Sequence, residues 1–175
     1  VSPSSMREKF IFLIKREIKN AEEGKKAEII AKMNSLVDPE IIKLLYLASE
    51  SGVKINLIIR GICCLYPQRK NLSENIKVIS IIGHFLEHSR IFWFCNNGDD
   101  EVFIGSADWM RRNLDRRIEA VTPIEDYELK SKIYSLLQTY IKDDYFSWIM
   151  KEDGSYSKYE LDSSNNRSQI DLIEK

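Results

Sequence analysis

His88 and Arg90 stand two residues apart at the entry to what reads as a strand, Ile91 to Cys95, and that spacing sends both side chains off one face of a sheet. A histidine there can trade a proton near neutral pH while the arginine holds an anion by its fixed charge. Asn97-Gly98 with Asp99-Asp100 supplies turn chemistry, Glu101 to Gly105 reads as the returning strand, and Ser106 therefore comes back near the histidine. From Met110 to Arg117 four of eight residues are arginines, the side chain best suited to a bidentate grip on phosphate oxygens. Some of the four are solvated or paired with Asp108 and Asp115. Together these residues outline a phosphate-handling site, whose plain alternative is a half-buried histidine at a strand end.

The elements that must position them can be read from periodicity. Ser4 or Ser5 caps a helix to about Asn20, with Phe10, Leu13, Ile14 and Ile18 on its packing face. Ala27 to Met33 reads as a buried strand that delivers Lys32 and Asn34 to its carboxyl end. Asp38-Pro39 then opens a helix from Glu40 to about Ser51, and Lys54 to Arg60 is a second strand, parallel to the first in a βαβ unit. Ligands in open α/β sheets sit beyond the carboxyl ends of strands, which is where Arg60 falls. A long loop, Ile62 to Asn75, leads to a third strand, Ile76 to Ile82. Gly83 to Glu87 crosses to the His88 hairpin on what reads as one turn of helix. His84 and His88 share that turn, but no Cys or carboxylate set completes a metal site around them. Ile118 to Ile124 is a last strand, and Asp126 to about Tyr145 a long helix with Leu129, Ile133, Leu136, Leu137 and Ile141 on its core side. From Lys151 the composition turns polar, and Ser163 to Ser168 reads as mobile.

Charge is uneven although the net is only -1. Lys54 to Arg117 carries ten basic and seven acidic residues, whereas Asp143 to Lys175 carries four and eight, so an anion belongs in the middle. Nothing in the overall balance points to nucleic acid. Three cysteines, two of them adjacent, form no disulfide framework and suit a reducing, cytoplasmic setting. The five-residue apolar run from Phe10 to Ile14 is too short to span a membrane or drive secretion. A chain that opens Val1-Ser2-Pro3-Ser4-Ser5 and enters a helix by Met6 reads as a piece of a longer polypeptide.

Laid side by side, several runs resemble the class 1 polyphosphate kinases, specifically their C-terminal phospholipase D-like domain. They are Lys32-Met33-Asn34-Ser35-Leu36-Val37-Asp38, Ile58-Ile59-Arg60-Gly61-Ile62-Cys63-Cys64-Leu65, Phe85-Leu86-Glu87-His88-Ser89-Arg90, Gly105-Ser106-Ala107-Asp108-Trp109-Met110 and Asn113-Leu114-Asp115-Arg116-Arg117. The resemblance covers about residues 5 to 160. It implies an α/β fold, a phospholipase D-like mixed β-sheet flanked by helices on both faces, with residues 1–150 the catalytic domain and 151–175 its polar tail. It also implies reversible transfer of the terminal phosphate of ATP to inorganic polyphosphate through a phosphohistidine. On that pattern Arg60 and His88 bind ATP, His88 is also catalytic, and Arg90, Lys32, Asn34, Ser106, Arg116 and Arg117 are second-rank phosphate contacts. The nucleophilic histidine and the residues that contact Mg2+ belong to upstream domains, so this chain holds no metal ligands and is inactive alone.

The implied partners are ATP and ADP, polyphosphate, the upstream domains and, in the full-length enzyme, further copies of itself, with membrane association open to that longer protein. Arg90 stands where phospholipase D motifs carry lysine, and the spacing to Gly105-Ser106 is longer. Both departures argue against phosphodiester hydrolysis. Two alternatives remain: a module that binds nucleotide or polyphosphate without chemistry, and a phospholipase D-like phosphodiesterase half-site.

Overall fold

Eight strands form one mixed sheet in the computed structural model, which describes residues 1–158 and 166–173. At its centre β1 (Glu28–Met33), β2 (Lys54–Ile59) and β3 (Ile76–Ile81) run parallel. β4 (Arg90–Phe94), β5 (Glu101–Gly105) and β6 (Val121–Ile124) extend it antiparallel on one side, and β7 (Ser147–Met150) and β8 (Tyr156–Lys158) on the other. The order is β6-β5-β4-β1-β2-β3-β7-β8.

The central strands are nearly continuous Ile, Leu and Val because both of their faces are covered. Ile29, Ala31, Met33, Ile55, Leu57, Ile59, Phe92 and Phe94 join a core with α1 (Met6–Glu22) and α2 (Pro39–Glu50). Ile30, Ile58, Ile91 and Trp93 join a second core under α4 (Tyr127–Ile141). The expected flanking of the sheet on both faces is therefore present. Fully buried Trp109, with ring centroids 5.5 Å from Phe10 and 5.3 Å from Phe92, locks the chain after β5 against α1. Among the described residues no helix is long and apolar enough to cross a membrane.

Asp38 shows how one side chain starts an element and ties it to another. Its carboxylate accepts from the backbone N–H groups of Glu40 and Ile41 at the start of α2, and Arg7 of α1 reaches it at 2.6 Å. Burial alone would push this carboxyl up, but Arg7 and the two N–H groups outweigh burial and hold it below its ordinary 3.8. A carboxylate lowered by folding stabilises the protein above its unfolded value and loses that contribution as pH falls through the folded one. Asp38→Ala is expected to destabilise the fold by about 1–2 kcal/mol at neutral pH. In urea unfolding the gap between variant and wild type should narrow below about pH 4, and a constant gap would refute the assignment.

The structure departs from the sequence reading at several places. Residues 82–89 form no helical turn, because the N–H and C=O of Phe85 bond to a side chain from the far end of the chain. The long helix stops at Ile141, where the buried Asp143 carboxylate takes the N–H groups of Phe146 and Ser147 and turns the chain into β7. Leu129, placed on the core side, is 48% exposed in the first turn of α4. The last of the expected strands begins at Val121, leaving Ile118 in solvent.

The arginine-rich run forms a short helix, α3 (Arg111–Asp115). The polar end supplies β8 and α5 (Ser168–Asp171), and Ser168, expected to be mobile, is fully buried. Of that expected mobile stretch, Ser163 to Asn165 lie outside the described residues.

Candidate functional site

The carboxyl ends of β1, β2 and β5 and the amino end of β4 share one rim of the sheet, as their pairing directions require. The loops that leave these ends are stitched together. Leu36, fully buried, donates its N–H to Ile62 at 2.9 Å and accepts from Cys64 at 2.9 Å, while the next N–H, Val37, reaches the Trp109 carbonyl at 3.0 Å. That backbone mesh fixes the strand-end residues before any side chain is considered.

On the mesh lies a relay of polar side chains. Arg60 donates Nε–H to Asn34 Oδ1 at 3.0 Å, and the Asn34 backbone N–H donates to Asp108 Oδ1 at 2.8 Å. The same Asp108 oxygen accepts from Arg90 Nε at 3.1 Å, and Arg90 Nη1 donates to the His88 carbonyl at 2.9 Å. Two cations thus converge on the rim, of which Asp108 compensates one. Arg60, held only by a neutral amide, has no carboxylate partner among the described residues. Arg60 lines an apolar hollow of about 310 Å³ with Gly61, Ser80, Ile82, Trp148 and Tyr156.

His88 sits in the loop before β4, not on the strand, so strand alternation does not set its face relative to Arg90. Its backbone is pinned by Arg90 while its ring is exposed, with no hydrogen-bond partner among the described residues. Such a ring is free to meet a ligand. His84 instead stacks edge-on to Phe146, centroids 5.4 Å apart.

Lys32 lies elsewhere than a polyanion path would require. It is 1% exposed on the α4 side of the sheet, with its ammonium 3.0 Å from Glu87 Oε2, 2.8 Å from Ser89 Oγ and 4.9 Å from the centre of the Tyr140 ring. Burial lowers its pKa below the ordinary 10.5 despite the attraction of Glu87. The Tyr140 hydroxyl also bonds Glu87, and burial raises its pKa strongly. Ser106 is exposed and donates to Glu119, whose other oxygen accepts from Asn113 at 2.6 Å. Arg116 and Arg117 are exposed, the latter 4.0 Å from Glu119.

Of the residues singled out by sequence, the structure therefore gathers Arg60, Asn34, Arg90 and the His88 backbone into one network, sets Lys32 beneath the His88 loop, and bonds Ser106 to Glu119 just before β6. Asp108, Glu87, Tyr140 and Gln169 complete the arrangement. Asp108 and Glu87 stood inside the quoted motif runs, a signal that was available.

A sequence model of the polyphosphate kinase C-terminal domain 2 matches residues 1–169. The chain belongs to that family. It is 55% identical over 175 residues to the polyphosphate kinase of Parasynechococcus marenigrum and 47% identical over 176 to that of Xylella fastidiosa, covering 99% of this chain and 25% of each relative. The crystal structure of polyphosphate kinase from Porphyromonas gingivalis superimposes with a TM-score of 0.93 at 41% identity, over 97% of this chain and 26% of that one. NucT from Helicobacter pylori, 17% identical with a TM-score of 0.59 over 81% of this chain, shares the fold. The chain thus spans about a quarter of the length of the polyphosphate kinases it matches.

Proposed function

We propose that this chain is the C-terminal half-site of a polyphosphate kinase, in which Arg60 and His88 bind the triphosphate of ATP while an upstream domain supplies the nucleophile. The observation that carries this reading is that, among the described residues, Arg60 has no carboxylate partner and the exposed His88 ring no hydrogen-bond partner, in segments that meet the same rim of the sheet. Transfer of a phosphoryl group asks of the protein mainly alignment and neutralisation of charge on the moving oxygens. In the forward direction the bond from the γ-phosphorus to its bridging oxygen breaks, ADP leaves with that oxygen, and an upstream histidine nitrogen takes the phosphoryl group. A terminal polyphosphate oxygen then displaces the nitrogen. Arg60 neutralises phosphate charge, and His88 donates a hydrogen bond or proton to a phosphate oxygen.

Second-rank contacts of this reading are Arg116 and Arg117, exposed on the arginine-rich stretch, and Ser106. Asn34 and Arg90 act by holding Arg60 and the His88 backbone, and Lys32 by anchoring Glu87. Mg2+ accompanies ATP, and this reading gives its protein ligands to the upstream domains. Upstream domains, further copies of the full-length chain and a cytoplasmic setting complete the proposal.

Two measurements test it. This chain alone should not turn over ATP and polyphosphate, and mixing it with the upstream portion of the same protein should restore activity; turnover by the chain alone would place the nucleophile on His84 or His88. In the full-length protein Arg60→Ala should raise KM for ATP about tenfold, the loss of a charge-assisted contact of about 1.5 kcal/mol. Unchanged ATP kinetics would remove Arg60 from the site. Nucleotide binding by this chain without turnover on mixing would favour the binding-module reading.

A further inference from the structure

The loop that carries His88 is held by a residue that lies near the opposite end of the sequence. Gln169 is 4% exposed, and its carboxamide grips Phe85 at two points: Oε1 accepts from the Phe85 N–H at 3.0 Å, and Nε2 donates to the Phe85 carbonyl at 2.8 Å. A neighbouring strand would bond that residue in the same way. Nε2 also donates to Glu87 Oε1 at 2.7 Å, one residue before His88. The other Glu87 oxygen meets Lys32 at 3.0 Å, so the carboxylate is clamped between the sheet and the C-terminal segment.

The approach is tight. A Cβ on Gly83 would lie well inside contact distance of Gln169 Oε1 and at 2.9 Å from the Phe146 ring, so glycine is what lets the carboxamide reach the loop. Gln169 is itself anchored, because fully buried Asp143 accepts from the Ser168 N–H at 2.8 Å and from the Ser168 hydroxyl. The bonds run to a loop whose exposed residue is the proposed phosphate contact.

We infer that Gln169 is a positioning residue for His88, setting the stance of residues 83–90 through Phe85 and Glu87 and making the C-terminal segment part of the nucleotide site. The inference rests on the reading of His88 as a phosphate contact. The backbone of His88 is then fixed from both directions, by Arg90 at its carbonyl and by Gln169 one and three residues upstream. A misplacement of about 1 Å at a phosphate contact is enough to cost transfer one to two orders of magnitude.

The test uses the full-length protein and an assay of ATP and polyphosphate turnover. Gln169→Leu keeps a branched side chain, one atom shorter, and removes all three bonds, and its kcat should fall about tenfold to a hundredfold. Combined with His88→Ala it should lower kcat no further, whereas combined with Arg60→Ala the losses in kcat/KM should multiply, since the Arg60 side chain bonds Asn34 and none of the groups that Gln169 holds. Gly83→Ala displaces the carboxamide without altering it and should reproduce the effect; it serves in place of Gln169→Leu should that variant fail to accumulate. A loss that multiplies fully with His88→Ala would mean general damage and overturn the inference. So would a wild-type rate for Gln169→Leu beside a crippled His88→Ala. A wild-type rate for His88→Ala would instead take down the reading of the site, and this inference with it.

Discussion

Replacing His88 by alanine in the full-length protein is expected to lower phosphoryl transfer about a hundredfold while leaving the stability of this domain within about 0.5 kcal/mol of wild type. The two halves of that expectation come from the same geometry. The ring is exposed and bonds to nothing among the described residues, so truncating it removes no packing and orphans no partner. The backbone stays where Arg90 holds it, through a bond to the carbonyl that alanine also possesses. A ring whose backbone is held while it bonds nothing itself among the described residues is arranged for something that arrives from outside. Steady-state turnover of ATP and polyphosphate, read beside a urea unfolding curve, decides the matter. Full activity in the variant would end the role assigned to His88, and a large loss of stability would show the ring to be structural.

Lys32→Met should produce the opposite signature, a loss of about 3–5 kcal/mol in unfolding free energy. The ammonium is 1% exposed and faces Glu87, whose carboxylate is left without its cation when the lysine goes. Yet the pair is not held at a profit. Burial outweighs the attraction of Glu87 and lowers the lysine pKa below 10.5, so folding disfavours the charged ammonium, a cost relieved as pH rises through the lowered value. Lys32→Met together with Glu87→Gln should therefore recover most of the lost stability, because neither residue is then a buried charge without a partner. Phosphoryl transfer should remain impaired in that double variant, since the loop beneath His88 has lost its ionic anchor. Equal instability in single and double variants would show that packing, not charge, is what Lys32 contributes.

How much of this could be read from the chain depends on how local each cause is. The three central strands announce themselves as runs of Ile, Leu and Val, the Asp38-Pro39 pair starts α2 by bonds to the next residues, and the Asn97-Gly98 turn has φ of 55° and 99°. Arg60 could be placed because a βαβ unit fixes which end of a strand it leaves. Lys32 could not. It lies one residue before the end of β1, and only the presence of α4 on that face turns an apparent strand-end cation into a buried one. The brace on His88 was beyond reach for a similar reason: Phe85 and Gln169 are 84 residues apart, and a glutamine that imitates a strand carries no mark in its neighbours. β7 and β8 escaped notice because four and three residues are too few to establish an alternation. Asp143, which ends α4 and seats α5, reads in sequence as one of two ordinary surface acids.

The mesh around Leu36 gives the two sides of the site different mechanics. The loops after β1, β2 and β5 are laced to one another through backbone bonds at a single buried residue, so a fluctuation that lifts Arg60 has to drag Trp109 and the start of α2 along with it. The loop bearing His88 has no such lacing and hangs between a lysine, an arginine and a glutamine side chain. An incoming triphosphate would meet one stiff jaw and one sprung one. Recoil after each transfer would then be confined to the residues from Gly83 to Arg90, leaving the anvil beneath them still.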